Sequence, residues 1–152
     1  MNESNEHKPR LRFNKNRIQE LAERYDYAIS EEEIIGLIPY VQKKGYLDKK
    51  ELYKAVYWKS PRIAAHVKRN DYEFVLEITS FALNAKSEKS RIEPLTLLKR
   101  ASWPVASVVL HFFHKDPYPI IDFRALWSIS LEPPSFYNGM FLPLPLILFP
   151  LN

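Results

Sequence analysis

The chain has 152 residues, enough for one domain, and 46% of them are apolar, enough to build a core. It contains no cysteine, which excludes a disulfide framework and any thiolate-held iron-sulfur cluster. The net charge is +4, but nine Lys or Arg fall within 43–69 against Asp48 and Glu51, a local net of +7 that suits either a phosphate-bearing partner or solvated helix faces. No apolar stretch reaches membrane-spanning length, and the charged first residues carry no signal-peptide core, so a cytoplasmic protein is expected.

In chain order, residues 1–16 are polar without apolar periodicity and read as a loose arm. Residues 17–27 can form a helix with Ile18, Leu21, Ala22 and Tyr25 on one face. Ser30 with Glu33 forms a capping-box pattern that starts a helix running to Lys44, where Gly45 allows a left-handed cap. Pro39 falls inside it and is expected to kink it or split it after Ile38. Asp48 with Glu51 repeats the capping pattern ahead of a helix through Trp58, and Ser60-Pro61 opens a short one ending near Asn70. Asn70 with Glu73 is read as the next start, for a helix whose Phe74, Val75, Ile78, Phe81, Ala82 and Leu83 make a wide apolar stripe. Residues 84–92 read as a polar connection.

Residues 95–129 organise the rest. They read as a short helix, a turn at 100–103, a second helix opening at Pro104, a loop rich in Pro and Tyr, and a third helix beside Asp122. The second of these carries Val105, Ala106, Val108, Val109, Phe112 and Phe113, too apolar for a surface helix. Nothing alternates with a period of two. The expected fold is all-α, a compact bundle of about seven to eight short helices.

Two places combine residues with chemical potential. The run Trp58-Lys59-Ser60-Pro61-Arg62 puts an aromatic plane, two cations and a helix start within five residues, which suits a phosphate site or simply a capped junction with Trp58 in the core. Asp122 lies in an apolar frame of Ile120, Ile121 and Phe123 at a helix start, where it serves as an N-cap, as a fixed anion, or both. His111, His114 and Asp116 have a superficial metal-site spacing that no third ligand motif supports. Trp103, Tyr118 and Trp127 suit the core of a small helical domain or an aromatic surface open to a planar ligand.

The central stretch resembles the helix-hairpin-helix DNA glycosylase superfamily, which includes endonuclease III and the alkyl-adenine glycosylases. Leu98-Lys99-Arg100-Ala101-Ser102-Trp103-Pro104-Val105-Ala106 overlays the family's hairpin pattern L-P-G-V-G-x-x-T-A. Pro119-Ile120-Ile121-Asp122-Phe123-Arg124 overlays the segment that carries its essential Asp. Both hairpin glycines are replaced, by Arg100 and Ser102, and Pro104 stands where lyase-competent members carry a nucleophilic lysine.

The resemblance implies a central helix-hairpin-helix motif within a domain over 17–131. It implies double-stranded DNA as partner and cleavage of an N-glycosidic bond without a lyase step. Asp122 would be the catalytic carboxylate, with Lys99, Arg100, Ser102, Lys59 and Arg62 on phosphates and Trp103, Tyr118 and Trp127 in a base pocket. No cofactor and no metal are implied. Relatives continue through further helices, whereas 132–152 here is an irregular apolar tail with Pro143, Pro145 and Pro150, read as a product of truncation or frameshift. A non-catalytic nucleic-acid-binding module and a helical interaction domain with no DNA role are the alternatives.

Overall fold

The computed structural model of the protein describes residues 9–25 and 29–132. Residues 1–8 of the arm, the Ser30 hydroxyl expected to cap a helix, and residues 133–152 of the tail lie outside the described residues. The described part is all-helical: α1 (Arg17–Glu23), α2 (Ile29–Lys44), α3 (Lys49–Lys59), α4 (Pro61–Val67), α5 (Tyr72–Asn84), α6 (Glu88–Ile92), a 3₁₀ turn (Pro94–Leu97), α7 (Trp103–Phe113) and α8 (Phe123–Ser128).

Several boundaries follow directly from local chemistry. Asp48 accepts from the amides of Lys50 and Glu51 at 2.7 and 2.9 Å, and Glu51 accepts from the Asp48 amide at 2.8 Å, closing the expected capping box. Gly45 ends α2 with φ +78°, its amide bonded to the Val41 carbonyl at 2.8 Å. Other boundaries depart from expectation. Pro39 does not split α2; it lies on an exposed face, so the missing amide leaves no carbonyl stranded in the core. Residues 84–92 contain α6, capped by the Ser87 hydroxyl.

The start of α5 also departs. Asp71, not Asn70, is its N-cap, accepting from Glu73 and Phe74. Asn70 is buried and turned elsewhere: its amide nitrogen donates to the Val67 carbonyl at 2.8 Å, and its oxygen accepts from the Lys99 amide at 2.8 Å. It fastens the turn before α7 to the end of α4.

α7 is the centre. Val105 to Leu110, Phe112 and Phe113 are all buried, and α2, α3, α6 and the 3₁₀ turn pack around it. An enclosed helix must satisfy its polar side chains from its immediate neighbours. Ser107 and His111 stand four residues apart on α7, His114 follows as its C-cap, and each holds the loop that comes next. The Ser107 hydroxyl accepts from the Ile121 amide at 2.9 Å, His111 Nδ1 meets the Tyr118 carbonyl at 2.6 Å, and His114 Nδ1 accepts from the Asp116 amide at 3.0 Å. This polar row fastens residues 116–121 along the helix and brings Asp122 to the start of α8.

Ile121 and Leu126 form a small second cluster with Trp103, Ile129 and Leu131 against it. The described part of the arm is tied to the same end, the amides of Arg10 and Arg12 bonding to the carbonyls of Ile129 and Ser128 at 2.8 and 2.9 Å. Ser107→Ala would leave the Ile121 amide buried and unpaired, so we expect a stability loss of about 1–3 kcal/mol by urea unfolding. A loss below about 0.5 kcal/mol would show that this bond does not hold the loop.

Candidate functional site

The loop fastened to α7 delivers Asp122 into a cleft of about 340 Å³, lined by Trp58, Lys59, His111, Ile120, Asp122, Arg124, Ala125 and Ser128. One carboxylate oxygen of Asp122 caps α8, accepting from Arg124 and Ala125 at 3.0 and 2.9 Å. The other accepts from the Lys59 ammonium, which reaches across from the end of α3. The pair is largely enclosed, with side chains 23% and 16% exposed. Burial on its own raises the Asp122 pKa. The Lys59 hydrogen bond, the Ala125 amide, the Lys59 charge and the Arg124 amide outweigh it and hold the carboxyl below its ordinary 3.8. Asp122 is thus an ionised cap with a lysine on it, and the structure joins two residues whose local sequence suggests separate roles.

Trp58 lies edge-on to Phe112 at 5.1 Å, and its indole nitrogen donates to Glu31 at 3.3 Å. It therefore walls the cleft from the core side. His111 lines the cleft as well. A backbone carbonyl only accepts, so the bond to Tyr118 places the neutral ring's proton on Nδ1 and leaves Nε2 with a lone pair. Burial lowers the His111 pKa, opposed only in part by the charge of Glu31, which favours this neutral form.

The remaining expected site residues are scattered. Lys99 donates from its ammonium to the Arg69 carbonyl at 2.8 Å at the surface. Arg100 is exposed and has φ +62°, the left-handed region that favours glycine. Ser102 is the exposed N-cap of α7 without a side-chain cap bond, and Arg62 is exposed in the first turn of α4.

Of the three candidate pocket aromatics, Trp103 packs between the main core and the Ile121–Leu126 cluster. Tyr118 is 3% exposed and donates its hydroxyl to Glu88. Trp127 is 60% exposed, with the Arg12 guanidinium 4.8 Å from its ring centre. None of the three lines the Asp122 cleft as described. His111, His114 and Asp116 do not form a metal cluster, and no group of three His, Cys, Asp or Glu among the described residues does. The two histidines serve the loop instead.

Neither Ser107 nor Glu31 stands out in the sequence as a site residue. Ser107 was legible as the one polar residue in the first part of an apolar helix, four before His111. Glu31 is 5% exposed and takes hydrogen bonds from Trp58 and from the Tyr25 hydroxyl at 2.6 Å, a burial that no local pattern announces. None of the described helices is long and apolar enough to cross a membrane. Comparison with protein-family models, curated proteins and solved structures finds no match for the chain.

The Lys59–Asp122 pair has a defined pH signature. Because the folded pKa of Asp122 is depressed, its contribution is present above the unfolded value and is lost as pH falls through the folded one. Asp122→Asn keeps the cap but removes the charge facing Lys59, so a stability loss of about 1–3 kcal/mol at neutral pH is expected. Between neutral pH and acid below 3.8 the variant should lose less stability than the parent. Chemical denaturation across that range checks it, and parallel pH profiles would remove the pair from the stability of the fold.

Proposed function

We propose that the chain is a DNA-binding protein of the glycosylase type that releases a base by hydrolysis, without a lyase step. The observation that carries this reading is Asp122, an ionised carboxylate fixed at a helix start inside a cleft. Breaking a C1′–N bond sends the electron pair out with the base and leaves positive charge on the sugar, and water then supplies hydroxide to C1′. A fixed carboxylate stabilises that charge as it develops. The Nε2 lone pair of His111 in the same cleft can take the proton from the water. Pro104, in the first turn of α7, has no amine to form a Schiff base.

Lys99, Arg100, Ser102 and Arg62 supply exposed cations and a hydroxyl for phosphates. The left-handed backbone at Arg100 supports a hairpin of the helix-hairpin-helix kind, because the residue in the place of the first family glycine keeps a glycine-like conformation. Lys59 has two incompatible uses. While it sits on Asp122 it offsets the charge that catalysis needs; when it binds a DNA phosphate it releases that charge. A second reading, a non-catalytic binding module, is favoured by this same contact, since both Asp122 oxygens are engaged.

Two measurements test the proposal. Affinity for duplex DNA should fall steeply with salt, and Lys99→Ala with Arg100→Ala should flatten the log–log slope by about one to two units. A flat profile in the parent sinks DNA binding altogether. Single-turnover excision from duplexes carrying mixed damaged bases should be abolished in Asp122→Asn, whereas Lys59→Met should bind duplex more weakly and excise at close to the parent rate at saturating DNA. Binding without excision in parent and Lys59→Met alike would favour the module.

A further inference from the structure

A second concave face lies on the other side of α3. Lys50, Tyr53, Lys54 and Tyr57 stand at three-and-four spacing along that helix, so their side chains form one stripe. Lys49 at the start of α3, Lys68 just beyond α4 and Glu33 from α2 complete the lining of a cleft of about 890 Å³. Four ammonium groups face one carboxylate there. The Tyr53 and Tyr57 rings are 5.7 Å apart and tilted by 36°, and the Lys68 ammonium sits 4.1 Å over Tyr53. Tyr57 is 44% exposed, which leaves ring surface open to the cleft.

From this arrangement we propose that the cleft binds single-stranded nucleic acid, with phosphates on the lysines and a base stacked on Tyr57. The charge complementarity asks for a polyanion. The tyrosines narrow the choice, because a chain of phosphates or a lipid headgroup layer has no planar group to lay on an aromatic ring, whereas every base has one. Glu33 is the one opposing charge in the lining and pairs with Lys54 at 3.1 Å, both side chains being well exposed. It acts as a competitor for the strand. The inference rests on the reading of the chain as a nucleic-acid binder and is independent of base excision at Asp122.

The test is fluorescence anisotropy with a short labelled oligo(dT) and a matched abasic sugar-phosphate strand, with melting temperature as the control for folding. The parent should bind oligo(dT) about tenfold more tightly than the abasic strand. Tyr57→Ala should remove that preference and Tyr57→Phe should retain it. Lys50→Ala with Lys54→Ala should flatten the salt slope for oligo(dT) by about one to two units, and Glu33→Gln should strengthen binding. Equal affinity for the two strands, or displacement of oligo(dT) by phosphatidylserine vesicles but not by unlabelled strand, would overturn the proposal in favour of a plain polyanion or membrane surface. Cleft variants that bind oligo(dT) as the parent does, while duplex binding keeps its salt dependence, would remove the cleft and leave the proposed function standing.

Discussion

The fold depends on one constraint: α7 has almost no solvent face. A helix apolar all round is stable only when enclosed, so α2, α3, α6 and the 3₁₀ turn are drawn around it. Enclosure then dictates what its few polar side chains do. Ser107 and His114 are buried and His111 is partly so, and each takes a backbone group of the loop that leaves the helix. The loop is therefore registered against α7, and the position of Asp122 is a consequence of core packing. A mutation that loosens α7 acts on the cleft even where it touches none of its walls.

What could be read from the sequence was whatever rests on neighbours within one or two turns. The capping box of Asp48 and Glu51, the left-handed end at Gly45, the cap at Asp122 and the burial of α7 all depend on residues a few positions apart. Features decided by a distant partner leave no such local trace. Asn70 and Asp71 are both good caps, and the choice between them is made by Lys99, whose backbone amide claims the Asn70 oxygen from 29 residues away. The ion pair between Lys59 and Asp122 spans 63 residues and leaves no periodic trace. Each partner could be singled out by its own local setting, and nothing in those settings pointed to the other.

The basic segment shows the same limit in another form. Its local net of +7 treats all nine cations as equivalent, but the fold sorts them. Lys44 is spent on a buried pair with Glu51 at 2.6 Å that closes the α2–α3 turn, between the rings of Tyr40 and Tyr46. Lys59 is held by Asp122. Lys49, Lys50, Lys54 and Lys68 converge on the tyrosine cleft. The buried Lys44–Glu51 pair sets geometry more than it attracts ligands, while the exposed cations carry the field a polyanion would meet.

The Lys59–Asp122 contact also sets the terms on which this fold can do chemistry. An acid that must stabilise positive charge needs a place to wait while the cleft is empty, because a lone buried carboxylate either costs several kcal/mol or takes up a proton. Capping α8 and pairing with Lys59 meet that need and keep Asp122 ionised. The two arrangements differ in reversibility. The backbone amides are fixed by the helix, whereas the lysine ends a flexible stem and can move to another anion without disturbing α3. Under the proposed function, a phosphate arriving beside the cleft would compete with Asp122 for that ammonium. On that reading, binding and unmasking would be one step, and an acid offset in the empty cleft would become available once a nucleic acid occupied it.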